Sequence, residues 1–502
     1  MKKANFYIFV GVLLFIGIGL LSLTNQGILS LDKPYAHGLI DRLESQNSVV
    51  AFQNVSVIPM DRERLLENHT VLVRDGIIEQ VGSSATIEIP TDALIVDGTG
   101  KYLIPGLVDM HVHVVNENEL LLFAVHGVTS IRNMWGGMSF TDHLAWRSKI
   151  EAGEMFGPTI YTSGPVMEGP PKTMPLMTVY SDPESASAAV TEQIDLGYDF
   201  IKVYDYIDLP TYEAIVQTAA NRGVQVIGHV PKQVSLERAF ASGQVTIEHL
   251  SGFIDNDAGE YIIPENELPK YAQMAVDAGS YVCPTMAVYQ MYVPKDNLHL
   301  LENRPEMTYV SPGMKTLWQY FSRPGAMSNV TYQGEYPARI QEMFIKTGRI
   351  LHEQGVKFVL GTDSDNPYLV PGISLLDELD YLIEAGFTPY EALQTGTYNA
   401  AEAMDKLEEF GTIEPGKRAD LILMDSNPLE DVTAVRDQSG VMLRGRWLPE
   451  FEVQFLLTGL VESFKPTLIE RLWPLTIIGL AIALIWRKNH QNLGDKQDDR
   501  DK

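Results

Sequence analysis

Between about residues 105 and 405 the chain repeats one unit eight times: a short apolar, β-branched run followed by a helical stretch. The runs are 103–114, 128–132, 159–162, 200–204, 224–229, 246–249, 281–284 and 358–363. Strands separated by helices pair in parallel, because the intervening helix carries the chain back to the same edge. Eight such units over roughly 300 residues predict a (β/α)8 barrel of the TIM type. In that architecture reactive groups gather at the carboxyl ends of the strands.

Ionisable residues recur at those ends. His111 and His113 lie two apart near the end of the first run, so they share one face of the strand. Lys202 sits inside an otherwise apolar run, where an ammonium group is costly unless paired or chemically modified. His229 and His249 finish two successive runs, and Asp363 finishes the last. A packing account requires all six to fall at strand ends by chance. The chemical account is simpler: a neutral Lys202 takes up carbon dioxide to form a carbamate, an anionic bridge between two divalent metal ions. His111, His113 and Asp363 would hold one ion, and His229 and His249 the other. A bridging hydroxide would be the nucleophile, with Asp363 accepting its proton and passing it to the leaving group. The expected catalytic residues are therefore Asp363 and Lys202.

Flanking this region, β-type runs with turn residues between them occur at 48–104 and return at 406–455, which predicts a small β-sandwich domain assembled from both flanks. The barrel is expected over 105–405. Residues 1–30 contain Lys2 and Lys3 followed by an uncharged run, 6–23, long enough for a membrane helix or a signal segment. A second apolar run, 472–486, is bracketed by Trp473 and Trp486 and followed by Arg487 and Lys488. These features predict terminal transmembrane helices, a cell-membrane location and an extracytoplasmic (periplasmic-side) catalytic domain. The tail 489–502 is polar and expected to be disordered.

Composition narrows the partners. With 65 acidic against 38 basic residues the formal net charge is −27, which argues against nucleic acid and for a small molecule or dipeptide. Cys283 is the single cysteine, so no intrachain disulfide or multi-thiolate metal site can form. The composition leaves room for an oligomer.

The ordered motifs Pro105-Gly-Leu-Val-Asp-Met-His-Val-His113, Ile201-Lys-Val203, Gly228-His229, Glu248-His249-Leu250, Gly361-Thr-Asp363 and Gly411-Thr-Ile-Glu-Pro-Gly-Lys-Arg-Ala-Asp-Leu421 resemble those of the amidohydrolase superfamily. The resemblance covers roughly residues 48–450 and is greatest to the branch holding imidazolonepropionase-like proteins and metal-dependent Xaa-Pro dipeptidases. It implies the ligand roles given above, with zinc as the usual metal. Mononuclear deaminases of the superfamily carry a glutamate three residues after the histidine of the fifth strand. Here that position is Lys232. Imidazolonepropionases proper lack the bridging lysine, whereas Lys202 is present. The expected reaction is hydrolysis of an amide bond in a dipeptide of the Xaa-Pro kind or an N-acyl amino acid. A lactone, cyclic imide or other ester-like substrate is the alternative within the class, and a non-catalytic metal-binding scaffold the alternative outside it.

For substrate contacts, Arg132 offers a planar fork for a carboxylate, with a structural ion pair as the competing role. Tyr204 and Tyr206 flank Asp205 just beyond Lys202 and are placed either to line the pocket or to pack. His126 falls before the second strand and is rejected as a ligand. His143, His299 and His352 are expected at the surface. The insertion 286–342, rich in Tyr, Met and Pro, is the candidate lid.

Overall fold

The computed structural model describes residues 35, 48–137, 141–173, 177–256, 258–292, 297–321, 336–466 and 475. Two compact units are distinguished. One, Pro34–Met307 with Ser322–Leu457, holds the barrel and the β domain; the other is Met1–Lys33, Thr308–Phe321 and Thr458–Lys502. The second unit contributes the helix Pro312–Phe321 among its described residues.

Eight parallel strands form the barrel: β1 (Leu107–Val112), β2 (Val128–Asn133), β3 (Thr159–Thr162), β4 (Phe200–Val203), β5 (Gln225–Gly228), β6 (Thr246–Glu248), β7 (Tyr281–Cys283) and β8 (Lys357–Phe358). Neighbours pair in that order from β1 to β3 and from β4 to β8. A parallel bridge from Ser163 to Phe200 joins β3 to β4, and another from Val112 to Ser364 joins β1 to the chain beyond β8. Backbone bonds from Met110 N to Leu360 O and from Asp363 N to His111 O, both 2.8 Å, reinforce that last junction. The strands are apolar on both faces because side chains fill the interior and helices cover the outside.

The stretch 103–114, a single run in the sequence, divides into two strands. Tyr102–Pro105 belongs to the β domain and β1 to the barrel. The break falls at Gly106, where a Cβ would lie 2.2 Å from Thr129 Oγ1, and follows Pro105, which has no N–H to donate.

The two flanks meet in one eight-stranded sheet. Leu421–Met424 pairs antiparallel with Tyr102–Pro105, Ile422 facing Ile104, so late sequence is stitched directly to early sequence. The long strand Val49–Val57 forks the sheet: its first half pairs with Leu94–Asp97 and its end with Tyr102–Leu103. The domain expected from both flanks is thus built on one continuous, forked sheet. Its core includes Val50, Phe52, Val55 and Trp447, the Phe52 and Trp447 rings meeting edge-on at 5.0 Å.

The helix Ser374–Glu384 presents a buried carboxylate, Glu378, which accepts from the backbone N–H groups of Met286 (2.9 Å) and Ala287 (2.6 Å). The insertion after β7 is therefore pinned at its first residues; it continues as the 3-10 turn Met286–Tyr292 and the short helix Leu298–Glu302.

The expected terminal transmembrane helices, and with them the membrane-anchored extracytoplasmic placement, are corrected. Among the described residues no helix is long and apolar enough to cross a membrane. The longest, Tyr336–Glu353, carries Arg339, Glu342, Lys346, Arg349 and Glu353. Charges at that density cannot be matched to a hydrocarbon core. The runs 6–23 and 472–486 lie outside the described residues apart from Leu475, as does the tail 489–502.

Candidate metal centre

The strand order brings the six sequence-selected residues to one end of the barrel. Lys202 lies within β4, His111 is the fifth residue of β1, and His113, His229 and His249 each follow a strand by one residue. Asp363 comes five residues after β8, because the observed strand stops at Phe358 where the sequence predicts a run ending on Asp363 itself. His111 Nε2 is 3.4 Å from Lys202 Nζ and 3.4 Å from Asp363 Oδ1, while His113 Nε2 is 3.0 Å from Asp363 Oδ1. Ligand atoms of His111, His249 and Asp363 all lie within 4.8 Å of one another, a spacing that one cation can span. The His229 ring stands 4.9 Å from that of His249.

Three of the four imidazoles are held by their far nitrogen. His111 Nδ1 lies 2.8 Å from Glu248 Oε2, His229 Nδ1 2.6 Å from Asp205 Oδ1, and His249 Nδ1 2.6 Å from Thr285 Oγ1. The Thr285 hydroxyl donates to Pro284 O at 2.8 Å, so its oxygen is left to accept from His249. Each network assigns the proton to Nδ1 and the lone pair to Nε2. Metal-binding histidines are oriented in this way. His229 Nε2 is buried with no hydrogen-bond partner among the described residues, an orphaned acceptor that a cation would satisfy. The donor set, imidazoles with a carboxylate and no thiolate among those six, fits a divalent metal of the zinc kind.

The electrostatics favour ligand protonation states. Burial, followed by the charge of Lys202, drives His111 well below its ordinary range, and burial lowers His249 to about 3. Both stay neutral. Burial also lowers Lys202 to about 8; it is 1 % exposed, and among the described residues no carboxylate forms an ion pair with it. Burial would raise Asp363, but the hydrogen bond to His113 and the neighbouring histidines and Lys202 hold it below its usual value.

Backbone strain is present here too. His249, Leu250, Thr285 and Asp363 have φ of 57°, 51°, 51° and 64°, in the left-handed region that non-glycine residues rarely adopt. Such conformations cost on the order of 1–3 kcal/mol each and persist where surrounding structure enforces them.

Arg132 is placed otherwise than as a substrate fork. It is 1 % exposed, and its guanidinium bonds to Met110 O (2.6 Å), Thr246 Oγ1 (3.1 Å) and Glu248 Oε1 (2.8 Å), so the competing structural role is the one its geometry serves. Tyr204 lies against His229 with ring centroids 4.0 Å apart and packs on Trp135, Val166 and Met177. Tyr206 donates its N–H to Glu168 and has Lys232 Nζ 5.0 Å from its ring. His143 is corrected from the surface to the interior: it is 1 % exposed and donates from Nε2 to Val114 O at 2.7 Å. His126 is drawn into its own helix end, with Nδ1 2.8 Å from Leu122 O.

Four residues that matter here went unselected in the sequence: Glu248, Asp205, Thr285 and Asp109. Asp109 accepts from Thr362 N (3.0 Å), Thr362 Oγ1 (2.7 Å) and His111 N (3.2 Å), tying β1 to the segment that carries Asp363. A second buried cluster, His111, Glu248 and Cys283, shares His111 with the first. Both oxygens of Glu248 are already engaged, by His111 and by Arg132, so it supports a ligand of the site.

A model of the amidohydrolase family matches residues 102–448. Two curated relatives share 25 % identity with the chain. Imidazolonepropionase of Geobacillus sp. (strain WCH70) aligns over 76 % of this chain and 91 % of its own length. Adenine deaminase 2 of Rhizobium etli aligns over 74 % of this chain, which spans only 53 % of that relative's length. A solved Bifidobacterium longum structure, provisionally assigned as a prolidase, superposes with a TM-score of 0.64 at 26 % identity, covering 82 % of this chain and 99 % of its own. The chain belongs to the amidohydrolase family.

Proposed function

We propose that this amidohydrolase-family chain is a two-metal hydrolase that cleaves an amide bond in a dipeptide of the Xaa-Pro kind or in an N-acyl amino acid. The observation that carries the reading is Lys202: a buried lysine lowered to about 8, with its Nζ 3.4 Å from Nε2 of the oriented His111 imidazole. At neutral pH a fraction of such an amine is unprotonated and able to take up carbon dioxide. The resulting carbamate would give the centre the anionic bridge that two cations require. His111, His113 and Asp363 would hold one ion, His229 and His249 the other.

When bound, the metals supply Lewis-acid polarisation of the scissile carbonyl and a water of lowered pKa. Asp363, kept ionised by its neighbours, accepts the proton of the attacking water and returns it to the leaving nitrogen. Tyr204 covers the His229 side of the centre and offers an aromatic wall to the substrate.

The deaminase alternative is disfavoured by position 232, where a lysine stands in place of the shuttle glutamate. The likeness to the prolidase-assigned structure favours a dipeptide.

The test is to reconstitute the protein with zinc and bicarbonate, count metal, and assay dipeptides, N-acyl amino acids and lactones side by side. About two zinc ions per chain and preference for amides are expected. Binding below about one ion per chain overturns the two-metal reading, and turnover confined to lactones overturns the choice of bond.

A further inference from the structure

Resting on the two-metal reading, we propose that Glu248 and Arg132 are positioning residues that together decide which nitrogen of His111 faces the metal. Glu248 is fully buried and divides its carboxylate between two tasks. Oε2 receives His111 Nδ1 at 2.8 Å. Oε1 receives Arg132 Nη2 at 2.8 Å and also the Thr246 hydroxyl. Arg132 in turn donates from Nε to the carbonyl of Met110, the residue before His111, at 2.6 Å, and from Nη1 to Thr246 Oγ1 at 3.1 Å. One guanidinium thus grips both the backbone that carries His111 and the carboxylate that holds its ring.

The inventory of donors and acceptors makes the arrangement directional. A guanidinium is always charged and only donates, and the ionised carboxylate beside it only accepts. The nitrogen of His111 that meets Glu248 must therefore carry the proton. Nε2, the atom 3.4 Å from both Lys202 Nζ and Asp363 Oδ1, is left with the lone pair. Cys283, the other polar group of this buried cluster, is a weak donor and acceptor and cannot impose that choice.

A glutamine at 248 cannot do both tasks. With its NH2 toward His111, it forces the proton onto Nε2 and turns an N–H toward the centre. With its oxygen toward His111, the NH2 collides with the donating face of Arg132. Removing that face as well, in Arg132→Met/Glu248→Gln, frees the amide to present its oxygen to His111 while its NH2 points into the space the Arg132 donors have left.

The experiment measures zinc content and affinity by chelator competition, with the visible spectrum of the cobalt-substituted protein as a readout of coordination. Three proteins are compared: wild type, Glu248→Gln and the double variant, with circular dichroism confirming that each is folded. Expected are a loss of roughly 10- to 100-fold in affinity for one of two ions in Glu248→Gln, an altered cobalt spectrum, and recovery of most of that loss in the double variant. Unchanged affinity in the single variant, or a double variant no tighter than the single, overturns the proposal. Should the variants fail to fold, ¹⁵N-histidine spectra of metal-free wild-type protein decide it. The His111 signal, identified by its loss in His111→Gln, must show the Nδ1–H tautomer, and the opposite tautomer overturns the assignment. Wild-type protein that binds less than one zinc ion instead sinks the two-metal reading and is told apart from either result.

Discussion

Asp205 Oδ1 lies 2.6 Å from His229 Nδ1 while keeping about a fifth of its side chain in solvent (21 %), whereas the Glu248 carboxylate that holds His111 has none. The two halves of the centre are therefore supported differently, one by a wet carboxylate three residues beyond Lys202 and one by a dry ion pair.

Replacing Asp205 with Ala removes the acceptor that orients His229. Affinity for one of two zinc ions should fall by roughly 10- to 100-fold with the other little changed. A chelator titration of the variant should become biphasic; a single unshifted phase would show that Asp205 does not orient a ligand.

Lys202→Met keeps the volume of the stem inside β4 and removes the nitrogen. Metal content, measured by plasma mass spectrometry after loading with bicarbonate present, is expected to drop from two ions to one, and the wild-type dependence on bicarbonate to vanish. Two ions retained without the lysine would remove the basis for a carbamate bridge.

Asp363→Asn preserves shape and takes away the proton acceptor. Turnover is expected to fall by about 10²–10⁴, with the far-ultraviolet circular dichroism unchanged. Near-normal turnover would mean that the proton is carried by another group.

Glu378 predicts a pH effect on stability remote from the metals. Burial raises its carboxyl to about 8, against an ordinary value near 4.5. Between those values the folded chain holds a proton that the unfolded chain has released, so stability declines as pH rises and the decline is complete only above about 8. Urea midpoints taken from pH 6 to 9 should fall more steeply for wild type than for Glu378→Gln. Parallel slopes would show that the backbone N–H groups of Met286 and Ala287 keep the carboxylate charged.

The barrel was legible because strands buried on both faces read as unbroken apolar runs, and its chemistry was legible because charge interrupts those runs at His111, Lys202, His229 and Asp363. What escaped was pairing across the ring. Arg132 and Glu248 are 116 residues apart, and each taken alone is only a polar residue in a strand. Their partnership spans the barrel interior between β2 and β6, strands that are not neighbours in the ring, and no local pattern specifies it. The polar residue directly before His249 was the available signal for Glu248. His143 was misplaced for a related reason: its helix is amphipathic only weakly, and the carbonyl it serves, Val114 O, comes from another part of the chain.

One bridge, Val112 to Ser364, sits where the ring of strands is sewn shut, and His113 and Asp363 flank it on either side. The seam of the barrel and the grip on the metal are thus the same stitches. A cation held by residues of both edges would act as a clasp, and its loss should be felt first as faster amide exchange along 110–113 and 360–364. The fold would then report the loading of its own centre, without any substrate being turned over.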